Sequence, residues 1–207
     1  MKKTRSILQA ISSHGLLEGL KRFHRCEKGI ALVELAFAMP VLLVMLSGVI
    51  EMSRYILIHH KILRLTSEIS DLVTQSPSMS VAEMNVLFSA ADYLIHPFDL
   101  STNGVIIISS VSGTGEDPVK VNWRQCGAGN LSVTGMVGAE GANATVPNNL
   151  DVDPLDNIII AEVYYDYEPL IFDNIVESKR LSRVAIHSPR ISSLISILRE
   201  SGQTDGC

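Results

Sequence analysis

Residues 30–50 read IALVELAFAMPVLLVMLSGVI, twenty-one positions whose one ionisable side chain is Glu34. At about 1.5 Å per residue, a helix of that length crosses the roughly 30 Å hydrocarbon core of a bilayer. The run sits between Lys28 and Glu51, and the charge on its two sides is opposite. Residues 1–29 carry seven basic side chains against Glu18 and Glu27, a net of +5; residues 51–207 carry ten basic against nineteen acidic, a net of −9. A short basic flank close to an apolar span stays on the cytoplasmic side. The expected topology is therefore a single membrane pass with the N-terminus in the cytoplasm and residues 51–207 exported. Secretory signals have apolar cores of roughly 7–15 residues and a small-residue cleavage site, whereas this run is longer and lacks the A-x-A pattern. The plain alternative is an uncleaved anchor.

The rest of the composition agrees with one exported domain on a membrane segment. The chain has 207 residues, 17 Lys+Arg against 22 Asp+Glu, and 46% apolar residues, with a mean hydropathy of +0.25. That length holds one ordinary domain. A net charge of −5 argues against a nucleic-acid partner, whose footprint is basic.

Glu34 is out of place in its run. A carboxylate at membrane depth costs about 2.5–3.5 kcal/mol on insertion scales and usually has a partner, yet residues 30–50 contain no Lys, Arg or His. It can sit shallow and snorkel to the interface. Alternatively, cutting the Gly29–Ile30 bond frees an α-amino group with a reference pKa near 8, four residues away or about 6 Å along a helix. That amine would supply the missing cation, within one chain or from a staggered neighbour.

Gly29-Ile30-Ala31-Leu32-Val33-Glu34 resembles the type IV prepilin cleavage motif, a Gly followed by four apolar residues and a Glu. Over a wider stretch, Gly29, Val33-Glu34, Ala36, Pro40, Leu42-Leu43, Gly48, Glu51 and Arg54 resemble the TadE-like family, minor pilins or pseudopilins of the tight-adherence (Flp) pilus system. The resemblance covers about residues 29–72. It implies cleavage between Gly29 and Ile30 by a membrane prepilin peptidase. It also implies that Glu34 engages the N-terminal amine of a neighbouring subunit during assembly, and that the partners are other pilins or pseudopilins and an inner-membrane assembly platform. Three departures stand out: the first mature residue is Ile30, Leu65-Thr66-Ser67-Glu68 replaces a small-residue stretch common in relatives, and the 29-residue leader is long.

Past the membrane, Tyr55, Ile58, Ile62, Leu65, Ile69 and Leu72 recur at spacings of three and four, with His60, Arg64, Ser67 and Asp71 opposite. This predicts an amphipathic extension over 51–75 whose stripe seats the exported domain. Pro40, lacking an N–H, is expected to kink the helix or unwind one turn. His59 and His60 are adjacent and point to different faces, which disfavours a shared metal.

Residues 76–207 are expected to form the exported domain. Ser80 and Glu83 have capping-box spacing ahead of a helix to about His96, which Pro97 stops. Strands are expected at 105–111, 119–124 and 159–167. A strand at 181–187 and a helix at 191–199 follow. Residues 125–157, rich in Gly, Asn, Asp and Pro, read as irregular surface loop. The fold class is thus α+β, a long N-terminal transmembrane-plus-amphipathic helix packed on a small periplasmic domain with an antiparallel sheet. Cys26 falls in the leader. Cys126 and Cys207 fall in the oxidising compartment, where a pair is most simply one bridge; free or intermolecular thiols are the alternative. Asp151, Asp153 and Asp156 offer oxygen ligands for Ca²⁺ but lack EF-hand spacing, and a capped acidic turn is the simpler reading. Asp99-Leu100-Ser101-Thr102-Asn103 only partly follows a metal-binding pattern. No catalytic constellation is present, and no cofactor is expected. The leading reading is a TadE-like minor pilin, not an enzyme; the rival is an uncleaved single-pass binding module of a secretion or pilus assembly platform.

Overall fold

The structure is a computed structural model that describes residues 28–113, 119–150, 152–154, 156–171 and 178–207. Most of the expected leader, with Cys26, and Asp151 lie outside these residues. The chain divides into two units, Met1–Ile50 and Glu51–Cys207.

The apolar run belongs to a 47-residue helix, α1 (Lys28–Thr74). Of the two effects expected at Pro40, the unwound turn does not occur, and helical backbone continues through it. Proline removes one N–H, whereas unwinding a turn would strand several more backbone groups among apolar side chains.

In the second unit, Ile58, Ile62, Leu65, Ile69 and Val73 are at most 2% exposed and form the seat of the domain. Leu72, expected on that stripe, is instead exposed, because spacings of three and four drift around a 3.6-residue turn and bring Val73 inward. Thr66, Ser70 and Thr74 are also buried, and the Ser70 hydroxyl reaches the Ile159 carbonyl at 3.5 Å.

After β1 (Ser78–Ser80), α2 (Val81–Ile95) starts on the expected capping box: the Glu83 amide donates to Ser80 Oγ at 3.2 Å and the Ser80 amide to Glu83 Oε2 at 2.8 Å. Val81, Met84, Phe88, Ala91 and Ile95 face the same core. One turn, α3 (Leu100–Asn103), then leads into the sheet. Strands β2 (Gly104–Ser112), β3 (Lys120–Gly127), β4 (Asn157–Tyr167) and β5 (Lys179–His187) form an antiparallel sheet in the order β3-β2-β4-β5. The central strands β2 and β4 are buried on both faces, as near-continuous apolar runs require.

One face, with Ile106, Ile108, Ile159, Ala161 and Val163, packs in the core with the helices. The other carries Ile107, Ile160 and Tyr164, packed with Val137, Val152 and Leu131. Residues 128–156 are therefore more than surface loop. Among their described residues there is no strand and only a short 3-10 turn (Pro147–Asn149), yet they pack against this face of the sheet. Their anchor is Glu162, 1% exposed, whose carboxylate accepts the amides of Met136 at 2.8 Å and Val137 at 3.2 Å and the Tyr164 hydroxyl. Burial, then this hydroxyl–carboxylate bond, drives the Tyr164 pKa far up.

The helix expected at 191–199 is absent; β6 (Ser196–Leu198) pairs in parallel with β1 instead. Three serines weaken helix propensity there, and tertiary bonds take the backbone: the Ile195 carbonyl accepts the Trp123 indole N–H at 2.7 Å and its amide lies 3.5 Å from Asn157 Oδ1.

Candidate functional site

Gly29, Ile30 and Glu34 share the first turns of α1. A Cβ built on Gly29 meets nothing within 4 Å, so packing places no demand for glycine there. Every large apolar residue from Ile30 to Val49 is 53–76% exposed. An apolar sleeve this long needs lipid or other helices around it, and its mean hydropathy of 2.4 fits a membrane anchor. Glu34 lies exposed within that sleeve.

The residue that follows the sleeve, Glu51, has a different role. Its carboxylate accepts the Tyr167 hydroxyl, the Leu170 amide at 3.0 Å and the Ile171 amide at 3.2 Å. The end of β4 and the chain leaving it are thereby fastened to α1. Desolvation pushes the Glu51 pKa up, but the Tyr167 hydroxyl, the two amides and the Arg54 charge outweigh it and leave the carboxyl below its ordinary range. Burial, then the bond to Glu51 and its charge, pushes Tyr167 up to about 12. One turn on, the Arg54 guanidinium lies 5.2 Å from the centre of the Phe98 ring. The Tyr55 ring meets Tyr167 edge-on at 5.4 Å.

Residues 29–70 match the family model for TadE-like protein. The match points to a membrane protein associated with the tight-adherence pilus. It lies wholly within α1 and begins at Gly29. No curated protein and no solved structure matches the chain.

Sequence reasoning placed Glu51 and Arg54 in the TadE-like pattern but gave them no task. The one available signal was a carboxylate standing where the apolar run ends. Removing it has a defined consequence: Glu51→Ala is expected to speed hydrogen exchange at the Leu170 and Ile171 amides roughly tenfold, the loss of about 1.5 kcal/mol for a hydrogen bond to a charged group. Tyr167→Phe should give a smaller effect. Because the Glu51 pKa is depressed, its contribution is complete above the ordinary carboxylate range and is lost as pH falls through its lowered value. Exchange at these amides should thus show the same excess acceleration on acidification in the parent, and none in Glu51→Ala.

Away from the TadE-like segment, Cys126 and Cys207 stand at disulfide distance, Cα to Cα 5.1 Å. The tail around them is held by further bonds. The Cys126 amide donates to the Asp205 carbonyl at 2.7 Å, and Arg124 Nη2 lies 2.8 Å from Asp205 Oδ2. Gly206 adopts φ +69, and a Cβ there would come within 2.8 Å of the Cys126 carbonyl, so both backbone and space call for glycine.

The weaker metal candidates have other roles or no ligand cluster. His59 lies 2.8 Å from the Arg183 guanidinium, and His60 is exposed beside a groove with Lys61 and Leu94. Asp99 caps α3, accepting the Thr102 amide at 3.0 Å and the Ser101 and Thr102 hydroxyls. The Asp156 amide donates to the Asp153 carbonyl at 3.0 Å in a turn. Among the described residues, no group of three or more His, Cys, Asp or Glu is placed to hold a metal.

Proposed function

We propose that the protein is a TadE-like minor pilin or pseudopilin. It is made as an inner-membrane precursor, cut after Gly29 by a prepilin peptidase, and assembled into, or required for the biogenesis of, a tight-adherence (Flp, type IV) pilus. In this reading residues 1–29 are the cytoplasmic leader, 30–50 the transmembrane helix, 51–75 its amphipathic extension and 76–207 a periplasmic domain.

The observation that carries the reading is the family match that starts at Gly29 and runs along α1. Gly29 supports it further: a glycine that neither packing nor a turn requires fits a residue read by another protein. The mechanism is assembly, not turnover. The sleeve from Ile30 to Ile50 packs against lipid and neighbouring helices, and scission exposes the Ile30 amine as the mate of Glu34. Cys126–Cys207 is the domain's structural bridge. The partners are the peptidase, other pilins or pseudopilins and the inner-membrane platform.

The test is N-terminal sequencing of the protein from cells with and without the prepilin peptidase. A mature start at Ile30 that depends on the peptidase is expected. An intact Met1 terminus in both strains would overturn the reading and leave an uncleaved anchored binding module.

A further inference from the structure

The connector that leaves β4 presents two neighbouring apolar side chains, Leu170 and Ile171, 61% and 41% exposed. Their position is fixed by backbone: both amides donate to Glu51 Oε2, at 3.0 and 3.2 Å. Glu51 is the residue directly after Ile50, where the apolar run ends. The connector is thus pinned within hydrogen-bond reach of the level at which the helix leaves its apolar surroundings. Ile191 gives the contrast. Ile191, 67% exposed, follows Arg190, whose amide donates to the Thr74 carbonyl at 3.2 Å. Thr74 lies 23 residues along α1 from Glu51, about 35 Å away at 1.5 Å per residue.

We propose that Leu170 and Ile171 form a second, shallow membrane contact. They enter the phospholipid leaflet at which the apolar run ends, so that the domain is held to the bilayer by this turn as well as by α1. The proposal rests on the reading of residues 30–50 as a membrane anchor. Apolar side chains at the boundary of headgroups and acyl chains leave water for hydrocarbon there. The adjoining carboxylate is spent on the two amides and on Tyr167, so no unpaired backbone donor accompanies them at these two positions.

The experiment uses the full chain in phosphatidylcholine vesicles whose acyl chains carry bromine, a quencher of tryptophan, either near the headgroup or near the chain end. The chain's own Trp123, 3% exposed in the core, gives the baseline. Three variants add one indole each at an exposed position: Leu170→Trp, Leu42→Trp within the sleeve, and Ile191→Trp at the far end of the domain. The added emission of Leu170→Trp should be lost chiefly to bromine near the headgroup, and that of Leu42→Trp to bromine near the chain end. Ile191→Trp should keep its emission in both lipids. If Leu42→Trp is quenched while Leu170→Trp behaves like Ile191→Trp, the shallow contact is overturned and the anchor stands. If Leu42→Trp also escapes quenching, the anchor and the contact fall together.

Discussion

A Glu34→Gln variant is expected to be cut normally after Gly29 and yet to build no pilus. Glutamine keeps the length and hydrogen-bonding capacity of the side chain and leaves the apolar sleeve from Ile30 to Ile50 intact, so membrane insertion and recognition at Gly29 survive. What disappears is the negative charge. The amine of a mature Ile30, with a reference pKa near 8, is protonated at neutral pH. Buried among packed helices without its partner, such a charge costs about 3–5 kcal/mol. At about 1.4 kcal/mol per tenfold, that lowers subunit affinity by factors of hundreds to thousands at every step of growth. N-terminal sequencing of the membrane fraction and a count of sheared pili read the two halves of this result separately. Full assembly by the variant would refute the charge pair while leaving the processing claim untouched.

The second large effect concerns the C-terminal bridge. Replacing Cys126 and Cys207 together with serine releases a loop with a sequence separation of 81. In the chain-entropy picture that loop contributes at most about 4.5 kcal/mol, against total stabilities of about 5–15 kcal/mol for ordinary domains. The expected result is a urea midpoint far below the parent's for the full chain in detergent, and a parent that falls to the same midpoint under reductant. The Arg124–Asp205 pair and the Cys126 amide bond to Asp205 remain in the variant and should keep the tail docked in the absence of denaturant. A midpoint indifferent to both changes would show that the tail contributes nothing beyond those bonds.

Local, periodic features of the fold were legible. The apolar run, the Ile58 to Ile69 stripe, the Ser80–Glu83 cap and the strand runs of β2 to β5 each announce themselves within a dozen residues. What escaped depends on distant partners. Residues 191–199 carry a helix-like spacing of apolar side chains, but Trp123 and Asn157 claim the Ile195 backbone and β1 claims the strand. The covering role of 128–156 was hidden because its turn-rich composition is that of any surface loop; only the buried Glu162 at the sheet face betrays the anchor. At the site, Gly29 and Glu34 could be read from their motif, since spacing along one helix is a local property. The clamp at Glu51 could not, because its three donors lie more than a hundred residues later.

The parallel pairing of β1 with β6 bears on how the chain reaches its final state. Ser78–Ser80 emerges early from any translocation channel, and its partner Ser196–Leu198 emerges near the finish. β2 must likewise wait for β4. Such topology is slow, since ring closure over long stretches precedes any reward in contacts. Throughout that wait the isoleucine run at 106–108 lacks its β4 neighbour. Segments of this kind are the ones that holdases shield until threading is complete, and loss of such escorts is expected to leave more of the nascent polypeptide in aggregates.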